Sequence, residues 1–145
     1  MDITINERLV LPIEDRTVLR GYDEYSDLTE DSRIRVYSLG EIGVEKVVAL
    51  TDRTRNEPRD LYDVWYLTSN EHVDLAMLAS EIDSKLEFRG RSRDTIGEEF
   101  KKKEARYKKL WSPRLGSQLA ELPPFDGVIR SVRSSLRAAR LIRST

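Results

Sequence analysis

A lysine lies on the apolar face of a predicted helix. At about 100° per residue, Lys46 falls in the middle of a cluster formed by Leu39, Ile42, Gly43 and Leu50. An unpaired ammonium group in a protein core is very costly in free energy. Two hypotheses follow. Either Lys46 reaches the core edge or pairs with a carboxylate, or it points into a cleft and contacts an anion such as a phosphate.

Two aspartates at the start of the next predicted helix are the second candidate. Asp60 and Asp63 are three residues apart, so they share a helix face. Both lie in the first turn, where carboxylates complement the helix dipole. This placement is also typical of ordinary charge optimisation beside core aromatics. With Lys46 on the preceding helix, however, the two carboxylates form a plausible constellation for a metal ion and a phosphate.

The elements that must position these residues are mostly helices. The spacing of Ser38 and Glu41 matches a capping box, in which the two side chains satisfy two free backbone N–H groups. Pro58 suits the first turn of the second helix. We expect helices over residues 38–53, 59–69, 73–86, 94–111 and 126–142. Alternation predicts a short strand within residues 2–11, with a possible second one after Glu7, and another over residues 33–37.

These elements predict an α+β fold that is mostly helical, with two or three short N-terminal strands followed by about five helices. We expect one structural unit, in which residues 1–37 form a strand element and residues 38–145 a helical region. An isolated hairpin is marginally stable in water. Exposed sheet edges also favour pairing with another chain, so a homodimer is one expected assembly.

Composition excludes several classes of protein. The chain has 145 residues with no cysteine and one histidine, which excludes disulfide scaffolds, thiolate zinc sites, thiol catalysis and multi-histidine metal sites within one chain. It has no apolar run long enough for a membrane span and no signal peptide, so we expect a cytoplasmic protein. Residues 1–87 contain 20 acidic and 10 basic residues, whereas residues 88–145 contain 6 acidic and 15 basic ones.

Two sequence blocks resemble the AbiEii family, the nucleotidyltransferase-fold toxins of bacterial abortive-infection and toxin–antitoxin systems that include the related MenT enzymes. The first block is SLGEIGVEKVVAL at residues 38–50, followed by Arg53, and the second is RDLYDVWYL at residues 59–67. The segments at residues 111–115 and 124–126 are also similar to the family. The resemblance covers most of residues 34–140, and residues 2–5 are a weaker match to the family's third active-site strand.

The resemblance implies roles for individual residues. Lys46 matches the lysine that contacts the nucleoside triphosphate, and Arg59 adds positive charge beside it. Asp60 or Asp63 matches the late active-site aspartate, and Asp2 matches the third carboxylate of the sheet. In the intact family the carboxylates hold Mg²⁺, which bridges the phosphates of the NTP. The reaction transfers a nucleotidyl group, and tRNA is an acceptor in MenT relatives.

The sequence also departs from the family. Intact members carry an upstream glycine-serine turn and an early pair of aspartates, and this chain shows neither. We therefore expect a C-terminal portion with an incomplete active site, inactive by itself, whose partners are a missing N-terminal half or a cognate antitoxin. The alternative is a non-catalytic helical module that binds a protein or a nucleic acid.

The basic second half is the last candidate surface. Its predicted helices carry exposed runs of positive charge, with Lys101, Lys102 and Lys103 on one helix and Arg130, Arg133 and Arg137 on the last. Three hypotheses remain open for these residues. They form a solvated helical face, they contact the RNA backbone, or they dock on the acidic front of the chain or on an acidic partner.

Overall fold

A computed structural model describes residues 7–19, 21, 22, 24, 27, 29 and 31–143. Strands β1 (Glu14–Thr17) and β2 (Arg33–Val36) pair antiparallel. The helices are α1 (Leu39–Leu50), α2 (Pro58–Ser69), α3 (Ala79–Phe88), α4 (Ile96–Leu115) and α5 (Phe125–Ala138). This confirms the predicted mostly helical α+β fold with five helices, and the described residues contain two strands.

The strand predicted within residues 2–11 is the main difference. Residues 2–6, including Asp2, lie outside the described residues, and residues 7–13 form no strand. The backbone N–H groups of Val10 and Leu11 donate instead to the Glu41 carboxylate, at 3.1 and 2.9 Å. A side chain of α1 thus takes the donors that a strand ladder would use, and β1 forms later, at a segment that alternation did not predict.

Several helix bounds also differ. Helix α4 continues through Pro113 to Leu115, beyond the predicted end at residue 111, and three other bounds differ for local reasons. Helix α3 begins at Ala79 rather than at residue 73, because Asp74 accepts a hydrogen bond from the N–H of Ala76 and holds a turn there. Helix α5 ends at Ala138 because Arg140 adopts a left-handed backbone with φ 55°. Helix α1 ends at Leu50, where the Thr51 hydroxyl donates to the Val48 carbonyl.

The capping box at the start of α1 is half formed. The Ser38 hydroxyl accepts a hydrogen bond from the Glu41 N–H at 3.0 Å, as predicted. The Glu41 side chain, only 1% exposed, turns inward and binds the ammonium of Lys85 at 2.9 Å. Lys85 on α3 is fully buried and also pairs with Glu7 and Glu45. This buried cluster ties the segment before β1 to α1 and α3.

Helix α2 lies at the centre of the helical region. It packs against α1, α4 and α5, and Leu61, Val64 and Leu67 on one of its faces are buried in the core. Helices α4 and α5 close the core, with Phe100 and Val132 buried in it. The strand pair is largely exposed. No helix within the described ranges is long and apolar enough to cross a membrane.

Replacing the fully buried lysine tests the importance of the Glu41–Lys85 cluster. Lys85→Met is expected to lower the free energy of unfolding by about 3–5 kcal/mol, because it leaves the Glu41 carboxylate buried without its counter-ion. Urea denaturation measures this loss. The control is Lys102→Met, which removes an ion pair from the surface of α4 and should cost about 1 kcal/mol or less. Equal losses in both variants would contradict the prediction.

Candidate functional site

The ammonium of Lys46 lies between two carboxylates of α2. Its Nζ is 2.9 Å from Oδ1 of Asp60 and 2.7 Å from Oδ2 of Asp63. The structure therefore brings together the three residues that the sequence singled out on consecutive helices. Pairing with carboxylates, one of the two hypotheses for Lys46, is what the structure shows. The side chain remains 23% exposed, so it also reaches solvent.

Asp60 is held from two sides. The Arg55 guanidinium donates to both of its oxygens, from Nε at 2.5 Å and from Nη2 at 3.0 Å, and Lys46 shares Oδ1. Asp60 is 1% exposed, so its carboxylate contacts Lys46 and Arg55 rather than solvent, and its predicted catalytic role stays a prediction. Arg55 was not among the predicted site residues. The signal that the sequence offered was its position in a loop, five residues before an aspartate in the first turn of a helix.

Both partners of this central pair stay charged at neutral pH. Burial alone would lower the pKa of Lys46, but the hydrogen bonds and charges of Asp63 and Asp60 outweigh burial and raise it. Burial alone would likewise raise the pKa of Asp60, but Arg55 and Lys46 hold it below its ordinary value. The site therefore keeps a fixed ammonium group beside a partly exposed carboxylate, that of Asp63.

The other predicted ligands are placed differently. Arg59 is exposed on the outer face of α2, and Asp2 lies outside the described residues. Within those residues, no group of three or more acidic, histidine or cysteine side chains could hold a metal ion. The carboxylates seen at Lys46 do not by themselves fit a Mg²⁺ site, because one is engaged on both oxygens and Mg²⁺ demands octahedral oxygen ligation.

Residues 1–134 match the family model described as the nucleotidyl transferase AbiEii toxin of type IV toxin–antitoxin systems. The chain belongs to the AbiEii family. No curated protein and no solved structure matches it. The match contains Lys46, Asp60 and Asp63, and it confirms the family that the two sequence blocks resemble.

In this AbiEii chain, Lys103 is not a surface residue. It is 5% exposed, and its Nζ donates to the carbonyl oxygens of Arg55 at 2.7 Å and Ala49 at 3.4 Å. The ammonium faces inward rather than onto the exposed surface of α4, and its predicted contact with nucleic acid stays a prediction. The cation instead caps the C-terminal end of α1 and holds the loop that carries Arg55. Burial lowers the pKa of Lys103 to about 8.

The remaining predicted basic residues lie on the surface of α4 and α5. Lys101 and Arg130 are exposed, Lys102 pairs with Glu99, and Arg133 pairs with Glu104. A cleft of about 1150 Å³ opens between the two helices. Its basic lining residues are Arg93, Lys101, Arg133, Arg137, Arg140 and Arg143. The cleft thus combines three of the predicted nucleic-acid-binding residues with Arg93, Arg140 and Arg143.

The low pKa of Lys103 makes stability depend on pH. The folded pKa of about 8 lies below the unfolded value of about 10.4, so between them the unfolded chain binds a proton that the folded chain does not. The free energy of unfolding should rise from pH 8 to 9.5, by up to about 1.4 kcal/mol per pH unit, relative to Lys103→Met. Urea denaturation across this range measures the difference.

The matched control is Lys109→Met, which removes an exposed lysine from the same helix. It separates the effect of one buried ammonium from the effect of net charge. A constant difference between the wild type and Lys103→Met across this range would contradict the prediction.

Proposed function

We propose that this chain provides the phosphate-binding lysine of a nucleotidyl-transfer site that uses a nucleoside triphosphate as donor and an RNA, of the tRNA class, as acceptor. The observation that carries the proposal is the position of Lys46. Its ammonium is fixed by Asp60 and Asp63, yet the side chain remains 23% exposed. Membership of the nucleotidyl transferase family supports the reaction class.

The geometry suits the exchange of one carboxylate for a phosphate. Asp60 keeps Lys46 in place from the buried side, while Asp63, at 2.7 Å and partly exposed, is the partner that an incoming phosphate oxygen would replace. Arg59 on the same outer face adds a second positive charge. In nucleotidyl transfer the acceptor hydroxyl attacks the α-phosphate and pyrophosphate leaves. A fixed ammonium stabilises the negative charge on the phosphate oxygens.

The proposal assigns only a share of the reaction to this chain. Asp60 has both oxygens engaged, and one carboxylate, Asp63, does not hold a divalent metal ion alone. We propose that further carboxylates, which hold Mg²⁺ in the family's reaction, come from a partner chain. We also propose that the isolated chain binds the nucleotide without transferring it. A cognate antitoxin is the other partner that a type IV toxin–antitoxin family suggests.

Calorimetric titration with ATP, without metal, tests the role of Lys46. Lys46→Met is expected to weaken binding roughly tenfold to a hundredfold, because a charge-assisted hydrogen bond to phosphate is lost. Asp63→Asn should strengthen binding, since it removes the carboxylate that competes for the ammonium. Lys109→Met is the exposed-lysine control.

The opposite signs of the two site variants distinguish ligand binding from general loss of structure. Equal affinities in the wild type, Lys46→Met and Asp63→Asn would contradict the proposed role of Lys46. Transfer of label from a labelled NTP to tRNA by the isolated chain would contradict the proposal that it is inactive alone.

We further propose that the acceptor RNA lies on the basic face of α4 and α5. Lys101 and Arg137 line the cleft between these helices, and Arg130 is exposed beside it. The lining of the cleft has six basic and three acidic side chains, so its net charge is positive. No aromatic ring in the lining is exposed, since Phe100 is 2% exposed. Backbone phosphates rather than bases are therefore the groups that this face would contact.

The salt dependence of RNA binding tests this face. Lys101→Ala should weaken tRNA binding in a fluorescence anisotropy assay and reduce the slope of log K against log salt by about one. Arg35→Ala, which removes an exposed arginine of β2, is the control and should leave the slope unchanged. An unchanged slope in Lys101→Ala would contradict the assignment. RNA binding without any nucleotide binding would favour the alternative, a non-catalytic module.

A further inference from the structure

Helix α2 carries a row of aromatic rings that leads away from the Lys46 site. The rings of Tyr62 and Tyr66 are stacked, with centroids 6.1 Å apart and planes 25° apart. The ring of His72 follows at 5.9 Å from Tyr66. His72 reaches this position because Glu71 adopts a left-handed backbone with φ 57° and the His72 N–H donates to the Leu67 carbonyl. The turn that ends α2 therefore extends the row.

The row starts next to Asp63, which contacts the ammonium of Lys46. Arg59, Tyr62, Asp63 and Tyr66 are spaced by three and four residues, so they form one face of the helix. Asp63 contacts Lys46 at 2.7 Å, and Tyr66 lies three residues further, about 4.5 Å along the helix axis. A ligand that extends along this face from a phosphate at Lys46 would therefore reach the stacked rings.

Packing in the apolar core explains the position of Tyr62 but not that of Tyr66. Tyr62 packs inward against Trp65 and Trp111, with centroids at 5.5 and 6.5 Å, which fits the expected core aromatics. Tyr66, in contrast, is 45% exposed and lies outside the apolar core. An exposed ring held in a stacked geometry beside a phosphate-binding ammonium is the combination that recognises a nucleotide, because every base has a π-face.

We propose that Tyr66, supported by Tyr62 and His72, stacks on the base of the nucleoside triphosphate. The proposal rests on the proposed function, since the triphosphate is placed at Lys46 and Arg59. Charge complementarity fixes the direction of the ligand: its phosphates lie at the Arg59 end of the face and its base at the Tyr66 end. Stacking on a tyrosine ring is tolerant of sequence, so purine and pyrimidine nucleotides are both accepted.

Three ligands separate the base from the phosphates. ATP, UTP and inorganic tripolyphosphate are titrated into the full chain, and tryptophan emission is followed because Trp65 and Trp111 both contact Tyr62. The wild type should bind both nucleotides more tightly than tripolyphosphate. Tyr66→Ala should weaken nucleotide binding about tenfold and leave tripolyphosphate affinity unchanged. Tyr66→Phe, which keeps the ring, should retain wild-type affinity.

Phe88→Ala is the matched control, because Phe88 on α3 is as exposed as Tyr66, at 47%, and lies outside the row. Nucleotide binding that depends on Lys46 but is unchanged in Tyr66→Ala would overturn the stacking proposal alone. Weakened tRNA binding with intact nucleotide binding in Tyr66→Ala would also overturn it, since the base would then belong to the acceptor. Failure of tripolyphosphate and nucleotides alike to bind through Lys46 would overturn the proposed function as well.

Discussion

A fully buried carboxylate on the central helix is the constraint on which the site depends. Asp60 is 1% exposed, and a buried charge is tolerated only when it is paired and hydrogen-bonded. Lys46 reaches it from α1, and Arg55 reaches it from the loop between α1 and α2. The backbone of that loop is in turn held by Lys103 of α4. Neutralising one carboxylate therefore joins three helices and fixes the direction of the Lys46 ammonium.

The same physical rule operates at the other end of α1. Glu41 is as buried as Asp60, and it is matched by Lys85 of α3 and by the N–H groups of Val10 and Leu11. Helix α1 is thus anchored at both ends by lysine–carboxylate pairs across helices. The two pairs differ in one respect. Lys85 is fully buried, whereas Lys46 is 23% exposed, so only the second reaches solvent.

Periodicity predicted the helices, and it predicted which helix face carries Lys46 and which carries the α2 aspartates. Their contact was one of two hypotheses for Lys46. Periodicity did not predict partners that are distant in sequence, such as Glu41 and Lys85 or the hydrogen bonds that replace a strand at residues 7–11. The exposed position predicted for Lys103 was wrong for a different reason. Lys103 continues the buried stripe of Phe100, Tyr107 and Trp111, but membership of a run of three lysines suggested a surface. Its position within the apolar stripe was the available signal, as it was for Lys46.

The directions in which its side chains point explain the residue order of the segment RDLYDVWYL in α2, in addition to its resemblance to the family. Leu61, Val64 and Leu67 face the core, and Asp60 faces the buried cations. Asp63 lies at the boundary, where it meets Lys46 from the solvent side. Tyr62 packs against the core, and Tyr66 lies on the outer face. Because successive residues rotate by about 100° on a helix, this order cannot be shifted by one position without exchanging core for site. The helix that completes the core is therefore also the helix that holds Asp60 and Asp63 against Lys46.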